Sequence, residues 1–214
     1  IQDLAHYADT LDVPGLLLFC DAKKAFDLVN HQYLLSTMRA MQIPDAFVSL
    51  FAVLLSNATT RIKINGYLGC PILLRNSVRQ GDPCAALAFI VALQPLLSLL
   101  SLASRGQVTV PCDDGTYTDC RLHTIPFPSA DGRGTTTRAA VAMADDIGAL
   151  LRDAAQLPIY RVLQRVYERA SGGRNNWEKT ECYPLGPLRT SLTLPNGWTS
   201  ADLKISMDLV RYLG

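Results

Sequence analysis

Charged residues are scarce in this chain of 214 amino acids: they make up 18% of it, and the formal net charge is only +1. A chain without a strong basic field does not attract a polyanion as a whole, so any nucleic-acid binding has to come from local patches. Hydrophobic residues make up 49%, which excludes a disordered chain and predicts a sizeable core. No repeat, low-complexity tract or long linker divides the chain, and its length fits one sizeable domain or two small ones.

Metal-binding and secretory motifs are also missing. The six cysteines show no C-x-x-C pair and no Cys/His ligand spacing, so we interpret them as reduced, mostly buried thiols of an intracellular protein. The first residues, IQDLAHYADTLD, do not form a signal peptide. The chain begins without methionine and stops at Gly214, so we expect it to be a piece of a longer protein.

One stretch has the length of a membrane span. Cys84–Ala103 contains twenty residues and no charge, which meets the length rule. Gln94 and Pro95 lie in its middle, and no flanking charge bias would give it an orientation. We therefore predict a buried core helix and no membrane partner; the alternative, a membrane protein, predicts that the chain needs detergent.

Two adjacent carboxylates, Asp145 and Asp146, lie between two short apolar runs in Ala139–Leu151. Each run is too short for an ordinary helix and suits a strand, so the segment predicts a tight β-hairpin that turns at Asp146 or Ile147. Close carboxylates repel each other unless a cation neutralises them, and Asp oxygens are natural ligands of Mg²⁺. The alternative is an ordinary surface turn, in which Asp is common.

Apolar patterning places the remaining elements. The continuous run Leu16–Cys20 predicts a strand buried on both faces that delivers Asp21 at its exit. Asp27 is predicted to cap a helix over Leu28–Met41. The other predictions are a helix over Ile1–Leu11, a helix from Pro44 to about Ser56, a hairpin turning at Asn65-Gly66, a helix started by Asp82 and Pro83, a hairpin around Asp113–Gly115, a helix over Ala154–Ala170 ended by Gly172, a short strand after Glu181, and a turn at Pro195–Gly197.

Local basic patches are candidates for nucleic-acid binding. Arg61 and Lys63 alternate with apolar neighbours and give the first hairpin one basic face. A second patch recurs every four residues along a helix and is predicted to form a single stripe: Arg161, Arg165 and Arg169. The alternative for both patches is a solvated surface.

Five motifs occur in the order and at the spacing of a known family. They are Phe19-x-Asp21-x-x-Lys24-Ala25-Phe26-Asp27, Arg79-Gln80-Gly81-Asp82-Pro83, Ala144-Asp145-Asp146, Ser171-Gly172 with Asn176 and Lys179, and Arg211-Tyr212-Leu213-Gly214. Over almost its whole length the chain resembles the reverse transcriptase domain of non-LTR (LINE-type) retrotransposons. It departs from the family at Met143, where an aromatic residue is common, and at Cys84-Ala85-Ala86, which replace Leu-Ser-Pro.

The resemblance implies an α+β fold: a polymerase palm, with an antiparallel sheet backed by helices, and part of the fingers. Residues 1–214 are then a reverse transcriptase domain fragment without the thumb. The implied activity is RNA-directed DNA polymerisation of dNTPs onto a DNA primer along an RNA template, with two Mg²⁺ ions for which Mn²⁺ can substitute. The implied parent is a polyprotein that supplies the missing fingers, thumb and endonuclease regions, and it is intracellular and nuclear when active.

The same resemblance implies roles for individual residues. Asp21, Asp145, Asp146 and the carbonyl of Ala22 are the candidate metal ligands, and the carboxylates of Asp21 and Asp145 are expected within about 4–6 Å of each other.

The remaining roles concern the substrates. Phe26 is the candidate steric gate against a ribose 2′-hydroxyl, with a core phenylalanine as the alternative. Arg79, Gln80 and Gly81 are expected near the nascent base pair. Lys179 is expected at the leaving pyrophosphate, with a surface lysine as the alternative. The alternative function is an inactive retrotransposon-derived fragment that folds and binds nucleic acid without polymerising.

Overall fold

The computed structural model describes residues 2–78, 82–111, 116–129, 134–143, 146–199 and 202–207. The helices in these ranges are α1 (Gln2–Thr10), α2 (His31–Ala40), α3 (Asp45–Leu55), α4 (Ala85–Ser104), α5 (Leu157–Ser171) and α6 (Leu188–Ser191). A single 3₁₀ turn, Ala154–Gln156, leads into α5.

The strands are short, and the longest have six residues. They are β1 (Gly15–Cys20), β2 (Thr59–Thr60), β3 (Lys63–Ile64), β4 (Tyr67–Leu68), β5 (Ile72–Leu73), β6 (Thr109–Pro111), β7 (Tyr117–Asp119), β8 (Pro126–Pro128), β9 (Thr135–Thr137), β10 (Ala140–Met143), β11 (Asp146–Leu151), β12 (Glu181–Leu185) and β13 (Lys204–Ile205). Outside the central sheet, two-stranded ladders pair β2 with β5, β3 with β4, β6 with β7, and β8 with β9.

A central sheet organises the molecule. Its strand order is β10-β11-β1-β12-β13, and all neighbours are antiparallel except β12 and β13. Every residue of β1 is buried, because the strand has neighbours on both edges and packing on both faces. The buried strand predicted at Leu16–Cys20 is confirmed, as is the mixed fold with a mostly antiparallel sheet and helices.

Side chains of β1 alternate between two cores. Leu16, Leu18 and Cys20 belong to the larger core, which α2, α4 and α5 cover. Leu17 and Phe19 belong to a smaller core on the other face, together with residues of α1 and β12. This alternation follows from the two-residue period of a strand.

Helix α4 contains the uncharged segment that has the length of a membrane span. By length and composition alone it could cross a membrane. Its inner face, which includes Phe89, Leu96 and Leu100, is buried in the larger core, and it packs against α2 and α5. The inner face therefore agrees with the predicted core helix, while Leu87 and Ile90 are exposed.

Two predicted helix starts are wrong. Helix α2 begins at His31, and its N-cap is Asn30, whose side-chain oxygen accepts a hydrogen bond from the Tyr33 backbone at 2.9 Å. Residues 23–28 form turns, because Lys24 has a positive φ of 50° and the chain folds back after Asp21. Asp82 accepts a hydrogen bond from the Cys84 N–H at 2.8 Å, so it caps the turn that precedes α4, and α4 starts at Ala85.

Other local predictions are confirmed. Asn65 and Gly66 have φ angles of 47° and 87°, as a type I′ turn requires. Gly172 ends α5 with a φ of 77°. Strands β6 and β7 pair as the predicted hairpin, whose turn at residues 112–115 lies outside the described residues. Cys20, Cys120 and Cys182 are buried thiols, whereas Cys70 is exposed.

Candidate active site

The acidic hairpin and the central strand end side by side. The last described pair of β1 and β11 is Cys20 with Ile147, and the next residues along the two strands are Asp21 and Asp146. Both aspartates line one pocket, whose other walls are Phe19, Cys20, Ile147 and Lys179. Two carboxylates from separate sheet strands thus face the same space, as the sequence predicts for Asp21 and the acidic pair.

The position of the hairpin turn differs from the prediction. Met143 pairs with Asp146, so Asp146 is the first residue of β11 and not a turn residue. The register leaves two residues, Ala144 and Asp145, to connect the strands, a length that suits hairpins because their tightest turns match the twist of the sheet. Ala144 and Asp145 lie outside the described residues. The expected distance between the carboxylates of Asp21 and Asp145 therefore stays a prediction.

The loop after α5 contacts Asp21 directly. The Lys179 ammonium lies 3.7 Å from Oδ2 of Asp21, and the Asn176 amide donates a hydrogen bond to the same oxygen at 3.2 Å. The side chain of Lys179 is 71% exposed, so its ion pair adds little to stability. The sequence motif that contains both residues predicts Lys179 at this site and gives no role to Asn176.

Residues 174–176 add a short antiparallel segment beside residues 21–23. Lys23 N–H donates to the Arg174 carbonyl at 2.8 Å, and Ala22 forms a β-bridge with Asn175. Asn176 N–H donates to the Asp21 carbonyl at 2.8 Å. The backbone at Ala22 is therefore held in place, next to the pocket where its carbonyl was predicted to bind a metal ion.

Phe26 is half-buried and lies in the turns that follow Asp21. Its ring centroid lies 5.4 Å from that of Phe89 in α4, with the planes tilted by 40°. The Phe26 carbonyl accepts a hydrogen bond from Val78 N–H at 2.9 Å, which ties this turn to the segment that leads into Arg79, Gln80 and Gly81. Those three predicted residues lie outside the described part of the chain.

The predicted arginine stripe does not form one surface. The Arg161 guanidinium carbon lies 5.3 Å and 4.9 Å from the ring centroids of Trp177 and Trp198. Arg165 and Arg169 instead line a groove between α5 and the β6–β7 hairpin. A row of residues four apart drifts by about 40° per step around a helix of 3.6 residues per turn, so the first and third members face different neighbours.

The basic face of the first hairpin is solvent-exposed. The side chains of Arg61 and Lys63 are both exposed. Ile62 and Ile64 are also exposed, at 58% and 66%, so the apolar face of this hairpin covers no core in the described part of the chain. Whether Arg61 and Lys63 bind nucleic acid stays a prediction.

Two buried, uncharged side chains, Cys20 and Tyr160, lie next to the carboxylate pocket. Cys20 is fully buried, and burial raises the pKa of its thiol to about 12. Its sulfur lies 3.1 Å from the Tyr160 hydroxyl, and burial raises the pKa of that hydroxyl well above its usual range. At neutral pH both groups are uncharged, so neither adds a charge beside the pocket that Asp21, Asp146 and Lys179 line.

The donor set fits a hard divalent cation. Carboxylate oxygens are preferred Mg²⁺ ligands, and Mg²⁺ usually takes only one or two protein carboxylates and keeps several waters. Among the described residues no group of three or more His, Cys, Asp and Glu side chains could hold a metal ion. Asp21 and Asp146 supply carboxylate oxygens to one pocket, the donor type that a hard divalent cation takes.

Comparison with known proteins gives one consistent set of relatives. Residues 2–214 match the family described as reverse transcriptase (RNA-dependent DNA polymerase). The chain is 29% identical over all of its 214 residues to the transposon TX1 uncharacterized 149 kDa protein of Xenopus laevis, and this match covers 14% of that protein.

Two further relatives are retrovirus-related Pol polyproteins from the type-1 retrotransposable element R2. The protein of Popillia japonica is 31% identical over 127 residues, which is 58% of this chain and 20% of that protein. The protein of Nasonia vitripennis is 31% identical over 91 residues, 42% of this chain and 9% of that protein. The chain thus spans only a small part of the length of the curated relatives that it matches.

Proposed function

Because this chain belongs to the reverse transcriptase (RNA-dependent DNA polymerase) family, we propose that it is the RNA-directed DNA polymerase region of a non-LTR retrotransposon protein. In this proposal it adds dNTPs to the 3′ end of a DNA primer along an RNA template. The observation that supports it most directly is the placement of Asp21 and Asp146 at adjacent strand ends, lining one pocket.

The family is generally dependent on divalent metal, and we propose two Mg²⁺ ions here, with Mn²⁺ as a substitute. Asp21, Asp145, Asp146 and the carbonyl of Ala22 would hold them. When bound, such a pair of ions stabilises the attacking and leaving oxygens of an in-line displacement. The protein's own contribution is to keep carboxylates from β1 and the β10–β11 hairpin at one place, which the antiparallel register supports.

The remaining site residues act on the substrates in this proposal. Phe26 limits the space beside the nucleotide sugar and favours deoxyribose. Lys179 neutralises or protonates the pyrophosphate that leaves when the primer oxygen bonds to the α-phosphorus. Arg79, Gln80 and Gly81 contact the nascent base pair, and Arg61, Lys63, Arg165 and Arg169 contact the nucleic-acid backbone. Arg161 lies over two tryptophan rings, and its contact with nucleic acid stays a prediction.

The larger context is also proposed. Residues 1–214 correspond to the palm with part of the fingers, and the parent polyprotein supplies the thumb, the other finger strands and an endonuclease. The parent is intracellular and works in the nucleus when active. The length of the R2 relatives, of which the chain matches 20% and 9%, supports a larger parent protein.

Primer extension on an RNA template tests the proposed activity. With the thumb and finger regions of the parent protein restored and Mg²⁺ or Mn²⁺ present, the chain extends a DNA primer. Asp21→Asn or Asp145→Asn abolishes extension, because each removes a charged oxygen that a metal ion needs. Asp45→Asn, at an exposed aspartate in the first turn of α3, is the control and keeps extension. Extension that survives Asp21→Asn would contradict the proposal.

A thermal melt with and without millimolar Mg²⁺ or Mn²⁺ tests the metal site without turnover. Metal that binds only the folded chain raises its melting temperature, and Asp145→Asn removes most of that rise. Asp145→Asn also raises the melting temperature of the metal-free chain, because it relieves repulsion between carboxylates. A chain that binds primer–template but shows neither extension nor stabilisation by metal would favour the inactive, nucleic-acid-binding fragment.

A further inference from the structure

The carboxylate of Asp21 is held by a residue for which the reaction assigns no role. Asn176 makes two hydrogen bonds to Asp21. Its backbone N–H donates to the Asp21 carbonyl at 2.8 Å, and its side-chain amide donates to Oδ2 at 3.2 Å. Lys179 also approaches Oδ2, at 3.7 Å. Both partners act on the same oxygen, and Oδ1 accepts no hydrogen bond from the described residues.

The turn that carries Asn176 is itself closed by hydrogen bonds. The Asn176 carbonyl accepts from Lys179 N–H at 3.0 Å, from Thr180 N–H at 2.9 Å and from the Thr180 hydroxyl at 3.0 Å. Thr180 is fully buried. Asn176 therefore joins a rigid turn on one side to the metal-binding strand end on the other.

An aromatic cluster fixes the next residue of the turn. The Trp177 ring lies edge-to-face with Tyr160 and Trp198, at centroid distances of 6.3 Å and 5.8 Å. Arg161 lies 5.3 Å from the same ring. The Tyr160 hydroxyl in turn contacts Cys20, the residue before Asp21. The turn is thus attached to α5 and cannot move away from Asp21 without breaking these contacts.

We propose that Asn176 is a positioning residue: its amide holds the Asp21 carboxylate in one orientation before the metal ion arrives. A ligand whose rotation is already restricted loses less freedom on binding, and partners of metal ligands are for this reason important to affinity. This inference rests on the proposed function, since it requires Asp21 to bind metal. Asn176 does not touch substrate or metal in this scheme and acts through Asp21.

Mn²⁺ titration of the full chain, followed by electron paramagnetic resonance, tests this role without turnover. Loss of a partner to a metal ligand typically costs about 10–100-fold in affinity. The Asn176 bond is long and half-exposed, so Asn176→Ala is expected to raise the Mn²⁺ dissociation constant by about tenfold, the lower end of that range. In primer extension the same variant lowers kcat, while KM for the dNTP stays within about twofold because substrate contacts are intact.

Asn175 offers a matched control. It is the same residue type in the same turn, but its side chain donates to the Thr180 hydroxyl at 3.2 Å and not to Asp21. Asn175→Ala is expected to lower the melting temperature while leaving Mn²⁺ affinity within about twofold, since the variant loses one hydrogen bond to Thr180 and none to Asp21. Asn176→Ser, whose shorter side chain no longer reaches Oδ2 but still favours a turn, is the second variant and weakens Mn²⁺ binding like Asn176→Ala.

The titration results test two statements separately: the positioning role of Asn176 and metal binding by Asp21. An unchanged dissociation constant in Asn176→Ala, or an equal weakening in Asn175→Ala, overturns the positioning role while metal binding by Asp21 stands. If the wild type and Asp21→Asn bind Mn²⁺ equally well, Asp21 is not a ligand, and both the positioning role and the proposed metal site fall. Weakening confined to the Asn176 and Asp21 variants supports both.

Discussion

Lys179 approaches one carboxylate oxygen of Asp21, the residue proposed above as a metal ligand. The ammonium lies 3.7 Å from Oδ2 and is mostly exposed, so the pair is weak and can separate without much cost. In the metal-free chain the lysine partly neutralises the carboxylate to which a cation would bind. During the proposed reaction the same ammonium would have to move to the leaving pyrophosphate.

Lys179→Met tests whether the lysine and a metal ion compete for Asp21. Without nucleotide, removal of a competing cation tightens Mn²⁺ binding by up to about fivefold, the equivalent of an exposed ion pair of about 1 kcal/mol. Nucleotide addition slows by about 100-fold or more, as expected for loss of a general acid. The expected change in Mn²⁺ affinity is opposite in direction to that of Asn176→Ala in the same titration. Weaker Mn²⁺ binding by Lys179→Met would show that the lysine stabilises the metal site instead of competing with the ion.

Phe26→Ala tests the proposed steric gate. The ring packs at 5.4 Å from Phe89 and is only half-buried, so part of it is accessible to solvent. Removing a clash with the 2′-hydroxyl raises incorporation of ribonucleotides relative to deoxynucleotides by about 10–200-fold, the range for a single steric discrimination. Competing rNTP and dNTP in primer extension measures the ratio, and an unchanged ratio would make Phe26 an ordinary core residue.

At the scale of elements, the junction of α1, β1 and β12 depends on a glycine. Gly186 follows β12 with a φ of 55°, and a Cβ there would lie 2.5 Å from the Val13 carbonyl oxygen. Its N–H donates to the Asp9 carboxylate at 2.9 Å. The backbone of β12 can therefore approach the end of α1 only because this residue has no side chain.

A pair of alanine substitutions separates the clash from the backbone strain. Gly197 also has a positive φ, 82°, but a Cβ there meets nothing within 4 Å. Gly197→Ala is expected to lower the free energy of unfolding by about 1 kcal/mol, the cost of the left-handed conformation for an L-residue. Gly186→Ala adds overlap with rigid backbone and is expected to cost about 3 kcal/mol or more. Urea unfolding measures both, and equal losses would contradict the clash.

At the scale of the whole molecule, burial controls the protonation of the core. Burial raises the pKa of Cys20 and of Cys182 from 9.0 to about 12, because a thiolate loses its hydration there. In the unfolded chain both thiols lose their protons near their ordinary pKa. The folded state therefore holds more protons than the unfolded state between about pH 9 and pH 12.

Stability is expected to fall as pH rises through that window. The contribution of each buried thiol is fully present below pH 9 and is lost as pH approaches 12. Urea unfolding at a series of pH values measures the slope, and Cys182→Ala reduces it because one titrating group is gone. A slope that is the same in wild type and Cys182→Ala would show that this thiol is not protected by burial.

Local chemistry explains which features could be predicted from the sequence. The continuous apolar run of β1, the Asn65-Gly66 turn and the glycine that ends α5 depend on residues next to each other in the chain. The family motifs are also local in character, and membership of the reverse transcriptase family confirms the resemblance. For the same reason the acidic hairpin was predicted correctly as an element.

The wrong predictions concern the start of α2 and the position of the hairpin turn, where contacts between distant segments determine the local structure. Asp27 has the chemistry of a helix cap, but the chain must turn after Asp21 to reach Asn76 and Ser77, so Asn30 caps α2 instead. The hairpin turn moved by two residues because the register of β11 against β1 keeps Ile147 in the ladder.

By itself, the amino-acid sequence determined the family, the element types and the carboxylates available for chemistry. Those properties follow from residue type, hydrophobic period and turn chemistry within short windows. Only the tertiary structure decided that the Asn176 amide donates to the Asp21 carboxylate, although the two residues are 155 positions apart in the chain. It also decided that the Arg161 guanidinium lies over two tryptophan rings. Such contacts depend on how strands and helices pack, and no pattern within one segment specifies which remote side chain will lie opposite.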